Sequence, residues 1–153
     1  MNSKKSIILG IIILVLVILS TGCVFYNVLK TNDFKEHFGA LGYTIESATS
    51  EDFKPDSYLI ATKEDVPYKI EYYEFSNEID AKKAYEKYKK NIVKYITTDS
   101  KNEETTGAVF SKTIVNSTDE HLIISRVKNT LIFIAGTQDY AKEIDTLVKD
   151  VKY

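Results

Sequence analysis

One cysteine, Cys23, two histidines, His37 and His121, and no tryptophan occur in the whole chain, and Arg126 is its single arginine. With no second cysteine a disulfide framework is excluded, so stability must come from a buried core. The two histidines would have to converge with carboxylates to hold a metal, and neither sits in a ligand-spaced motif. A basic surplus is also lacking. The 20 basic residues stand against 22 acidic ones, and without Lys4 and Lys5 the balance falls to about −4. Nucleic acid, which needs a basic surface to neutralise its phosphates, is therefore not an expected partner. Nothing spells a nucleophile elbow or an EF-hand loop, and no cofactor is expected.

What the chain has in abundance is one apolar run. From Ile7 to Leu19 every residue except Gly10 is Ile, Leu or Val, a stretch of 13 residues behind the basic head Lys4 and Lys5. That length suits a signal-peptide core of about 7 to 15 residues. Continued through Tyr26 it reaches 20 residues, and about 20 at 1.5 Å each cross a hydrocarbon layer of about 30 Å. Cys23 bears on the choice, because Ser20, Thr21 and Gly22 place small residues just before a lone cysteine. The stretch resembles bacterial lipoprotein signal peptides. That resemblance implies cleavage before Cys23 and a diacylglycerol on its sulfur; the alternative is a retained transmembrane helix. In both cases Lys4 and Lys5 remain cytoplasmic and the residues after Cys23 lie outside. The expected organisation is an anchor over 1–23, a short tether over 24–32 and one extracytoplasmic domain over 33–153.

About 120 residues follow the anchor, enough for one domain and not two. With 44% hydrophobic residues, 11 Tyr and 7 Phe, that domain can bury a core without tryptophan. Asp33 and Glu36 are spaced as a capping box, and Phe34, Phe38 and Leu41 recur at i, i+4 and i+7, predicting a short helix closed by Gly42. Tyr58–Ala61 and Tyr68–Phe75, separated by a turn at Glu64–Pro67, predict a hairpin with Tyr68, Ile70 and Tyr72 on one face. Ser76 or Asn77 then caps a long helix whose stripe runs through Ala81, Ala84, Tyr85, Tyr88, Ile92, Tyr95 and Ile96. The polar stretch Thr97–Gly107 reads as an exposed loop. Strands over Ala108–Val115, His121–Val127 and Leu131–Gly136 follow, with Lys128–Asn129 turning between the last two and Asn129 suited to a left-handed conformation. A final helix sets Ala141, Ile144, Val148 and Val151 on one side. The expected fold is α+β: a curved antiparallel sheet of about five to six strands, helices packed on one face, and two hairpin-then-helix units.

The run Ser125–Ile132, the early Phe38 to Tyr43 pattern and the terminal helix resemble small lipoproteins and membrane-anchored envelope proteins of Gram-positive bacteria. The resemblance implies location and layout, and brings no catalytic residue with it. Two features are candidates for contact with a ligand or partner. Lys83, Lys87, Lys90 and Lys94 lie on the polar face of the long helix, where they can meet an anionic envelope component. Arg126 shares a strand face with Leu122 and Ile124, so its guanidinium is expected to pair with an acid at the sheet rim or to take an external anion. Ser125 and His121 share the other face of that strand but have no evident acid partner. The expected function is a noncatalytic binding module at the extracytoplasmic face of the membrane, meeting an envelope protein or an anionic envelope component. The alternative is an accessory envelope hydrolase, or another enzyme with a site built from dispersed residues.

Overall fold

The computed structural model describes residues 28–92 and 100–153. The elements run α1 (Thr31–Ala40), β1 (Thr44–Ser47), β2 (Ser57–Thr62), β3 (Lys69–Glu74), α2 (Glu78–Ile92), β4 (Lys101–Thr106), β5 (Phe110–Asn116), β6 (Glu120–Val127), β7 (Thr130–Thr137) and α3 (Ala141–Asp150), with one 3₁₀ turn before α3. All seven strands form one sheet in the order β1-β2-β3-β7-β6-β5-β4, each antiparallel to its neighbours. The two hairpin-then-helix units exist as β2–β3–α2 and β6–β7–α3. They join in the middle of the sheet, where Ile70 stands opposite Ile134 and Tyr72 opposite Ile132.

The sheet is larger than the expected five to six strands, because Thr44–Ser47 adds an edge strand beside β2 and Lys101–Thr106 pairs with β5 instead of forming a loop. Every residue of β4 is exposed, so no apolar alternation marks it. Lys101, Glu103 and Glu104 give this edge the charges that discourage pairing with another chain.

The helices do not share one face, which corrects the single-layer expectation. One buried cluster joins Phe34 and Phe38 of α1 and Ile144 and Val148 of α3 to Ile70, Ile123, Ile132 and Ile134. A second, on the opposite side, joins Ala81, Ala84, Tyr85 and Ile92 of α2 to Tyr73, Val115, Ile124 and Leu131. Strands β6 and β7 therefore bury both faces and read as nearly continuous apolar runs, the pattern of a doubly covered sheet. The reason lies in the connection. α2 must carry the chain from β3 to the far edge strand β4, and it does so lying across β7, β6 and β5. That face is then full, and α1 and α3 take the other.

Local features agree with the sequence at most ends and depart from it at two. α1 begins at Thr31 and not after Asp33, because a distant carboxylate caps it: Glu74 accepts from the Thr31 N–H at 3.0 Å and from its hydroxyl at 2.8 Å. Asp33 instead sits in the first turn and accepts from the Lys30 N–H at 3.3 Å. The stretch read as tether is thus partly held by the domain. Val28 and Leu29 pack against the first cluster, and the Leu29 carbonyl accepts from the Tyr72 hydroxyl at 2.7 Å. α1 closes as expected at Gly42, whose φ of +83° lets Tyr43 N–H return to the Phe38 carbonyl at 3.0 Å in a Schellman motif. At the β6–β7 turn it is Lys128, with φ of +51°, that takes the left-handed conformation. The Asn129 side chain is used elsewhere, donating to the Phe75 carbonyl at 2.6 Å.

Candidate functional site: an amphipathic groove beside the terminal helix

On the face shared by α1 and α3, α1 lies over β1 and β2 while α3 lies over β7. The same side of β5 is left open, and a groove of about 560 Å³ runs between α3 and β4, within the range usual for small-molecule sites. Its floor comes from period two on two strands: Phe110, Lys112 and Ile114 on β5, Ser125 and Val127 on β6. Its wall comes from Asp145 and Lys149, four residues apart on one face of α3, and from Lys152 just past the end of that helix. Gly136 lets that helix sit close, since a Cβ there would fall 2.6 Å from Ile144 Cδ1.

Tyr153 closes one end. Lys152 adopts φ of +62° and the Tyr153 N–H returns to the Val148 carbonyl at 2.9 Å, a second Schellman motif with lysine where glycine is usual. Thr130 Oγ1 spends its one proton on the Val127 carbonyl at 2.8 Å, so the Tyr153 hydroxyl donates to Thr130.

Lys112 is the unusual floor residue, a lysine between two apolar side chains. Its Nζ donates to the Tyr153 main-chain oxygen at 3.3 Å. Burial pulls its pKa below the ordinary lysine range, and the charge of Asp145 offsets part of that. A depressed lysine pKa means that the unfolded chain binds the proton more tightly, so its charge opposes folding at neutral pH and stability rises as pH climbs through the folded pKa. Lys112→Met is accordingly expected to raise the melting temperature slightly at pH 7, with the gain vanishing at alkaline pH; thermal denaturation at both pH values checks it.

His121 lies beyond the groove on the same strand face. Its Nδ1 is 2.5 Å from Asn116 Oδ1 and its Nε2 3.1 Å from Asp145 Oδ1, so the acid that the sequence did not disclose comes from α3. Ser125 is four residues away along β6, about 13 Å at strand spacing. No serine–histidine relay forms, and the His121–Asp145 contact fastens α3 to the sheet.

The opposite face holds a second polar centre. Glu71 is buried in an aromatic cluster, and its Oε2 accepts from the hydroxyls of Tyr73 at 2.7 Å and of Tyr58 and Tyr88 at 3.1 Å. Its Oε1 pairs with Lys69 at 2.7 Å. Burial alone would raise the Glu71 pKa, yet the Lys69 and Tyr73 hydrogen bonds outweigh it and leave the carboxyl below its ordinary value. The tyrosine ring of Tyr73 stacks on Tyr58 at 4.2 Å, and burial, with neighbouring hydroxyls, raises its own pKa. This is a closed hydrogen-bonded network suited to specifying the core.

The lysine face of α2 lies outside that second layer. Lys83 pairs with Asp80 at 2.9 Å and Lys87 with Asp52 at 2.6 Å, while the neighbouring Lys89 reaches Glu104 of β4 at 2.5 Å. Asp80 of the helix itself and Asp52 and Glu104 from outside it thus neutralise part of the positive stripe. Lys90 is exposed; Lys94, like Cys23, lies outside the described residues.

Arg126 is buried on the α2 side, away from the groove. Its Nη1 donates to the Lys128 carbonyl at 2.9 Å and its Nη2 to Ser111 Oγ at 3.4 Å. Among the described residues no carboxylate pairs with it, and its Nε has no partner. The expected acid at the rim is replaced by a carbonyl of the β6–β7 turn. Arg126→Lys, which loses the planar fork, is expected to cost about 1–3 kcal/mol in urea unfolding.

The groove was not read from the sequence, although two signals pointed to it: the charged stripe on α3, and a lysine at the centre of an otherwise apolar strand face. Among the described residues no group of three or more His, Cys, Asp or Glu is placed to hold a metal. Nor is any described helix long and apolar enough to cross a membrane; the Ile7–Cys23 run lies outside them. Fold and groove together define a three-layered α+β domain with an open amphipathic groove. Compared with known proteins, the chain matches no family model, no curated protein and no solved structure.

Proposed function

We propose that this chain is a noncatalytic binding module of the bacterial cell envelope, held at the outer face of the membrane by its N-terminal segment. The groove beside α3 carries the reading, since an apolar floor with a few charged groups at its rim recognises a ligand without needing a reactive residue. The apolar run and Cys23 support the membrane location. Val28 and Leu29, packed on the domain, support a close hold, because five residues from Cys23 extend at most about 18 Å. The accessory-hydrolase reading has one observation in its favour, the His121–Asp145 contact with Asp145 on the groove wall. Burial of His121 and the distance to Ser125 weigh against it.

Metabolic labelling and crosslinking in intact cells test the proposal. Palmitate label that disappears in Cys23→Ala, with the domain open to external protease, is the expected result. Unlabelled full-length protein with the domain outside assigns the spanning helix instead. A domain protected from external protease overturns the location, and turnover in an ester and amide substrate screen overturns the noncatalytic reading.

A further inference from the structure

We propose that the groove beside α3 takes one acyl chain of a membrane amphiphile with an anionic head group, its chain along Phe110, Ile114 and Val127 and its head between Lys112 and Lys152. The inference rests on the membrane-tethered reading and names the ligand class. Charge complementarity selects the sign: among the lining residues three lysines, Lys112, Lys149 and Lys152, face one acid, and Asp145 is already engaged by His121. Lys112 is the strongest reason for an anion. It is partly buried, its hydrogen bond among the described residues is a long one to the Tyr153 main-chain oxygen, and the Asp145 charge offsets only part of its desolvation, so an incoming anionic head would restore the rest.

The direction of approach comes from Lys152. It lines the groove and also a smaller hollow formed with Val28, Leu29, Asp33, His37, Asp150 and Val151. The chain comes in from the N-terminal segment at this hollow, and Val28 is within about 18 Å of Cys23 along the backbone. The cationic end of the groove is therefore the end nearest the anchor, and a lipid leaving the outer leaflet meets it first. Lys152 is placed there by a left-handed backbone conformation that is strained for a non-glycine residue. A helix end under stability pressure alone would use glycine at that position.

The test uses the full chain in phosphatidylcholine nanodiscs carrying a trace of photoactivatable hexadecanoic acid, or the matching hexadecanol, with labelled peptides mapped by mass spectrometry. The acid should label the 110–116 and 127 regions and Tyr153 over the alcohol by about fivefold for each lysine engaged. Lys112→Met and Lys152→Gly, which each relieve a local cost and should fold at least as well as the parent, should bring acid labelling down toward that of the alcohol. Equal labelling by acid and alcohol, an unchanged preference in both variants, or labelling confined to residues before Val28 overturns the inference. Limited proteolysis of the same nanodiscs reports tethering separately. A domain retained on the disc with an unlabelled groove defeats this inference alone, whereas a domain that leaves the disc with its groove labelled defeats the tethering reading alone.

Discussion

Glu71→Leu is expected to lower the unfolding free energy by about 3–5 kcal/mol, because it leaves a buried polar cluster without its acceptor. The Tyr58, Tyr73 and Tyr88 hydroxyls all converge on one Glu71 oxygen, and leucine offers them nothing. Tyr73 and Tyr88 keep each other at 2.5 Å, so the loss falls on the remaining donors and on Lys69. Glu71→Gln retains an acceptor oxygen and should cost less, about 1–2 kcal/mol. The pH dependence follows from the same geometry. The folded carboxyl titrates below its unfolded value of about 4.3, so its contribution is fully present above that pH and is lost as pH falls through the folded pKa. Urea unfolding from pH 7 to pH 3 should show a steeper acid loss in the parent than in Glu71→Gln. Equal slopes would show that other carboxylates carry the acid transition.

Phe34→Ala should cost a similar amount, about 3–5 kcal/mol, as expected for a fully buried aromatic ring. Phe34 has no exposed surface and lies between Phe38 at 4.6 Å and Tyr72 at 4.7 Å. It is the contact that docks α1 on the sheet, and Tyr72 in turn holds Leu29, so amide exchange over residues 28–43 should accelerate more than exchange in β6 and β7. Leu41→Ala is the matched control. Leu41 is 41% exposed, and a change within about 0.5 kcal/mol is expected. A loss at Leu41 comparable to that at Phe34 would mean that α1 is seated in another rotation.

That control marks where the helical pattern was read one residue too far. Phe34 and Phe38 were legible at i and i+4, and Leu41 at i+7 continued the period, but the helix ends at Ala40 and turns Leu41 outward. Most elements were read in this way without error of type. The alternation of Tyr68, Ile70 and Tyr72 and the stripe from Ala81 to Ile92 both report burial directly, since each residue's side of its element follows from its spacing. β4 was not legible because Lys101–Thr106 contains no apolar residue, and its place comes only from the ladder that β5 offers. The start of α1 was misplaced because its cap is Glu74, more than 40 residues away.

The anchor-like run, the single domain and the alternation of hairpins with helices are written in local composition and period, and reading them needs no partner. The assignment of α2 to one face and α1 with α3 to the other is not written there, because an amphipathic stripe records that a side is covered and not what covers it. The groove belongs to the same class. It exists because α3 stops short of β5 and leaves Phe110, Lys112 and Ile114 partly open, an outcome of how the three helices among the described residues divide two faces of a sheet seven strands wide.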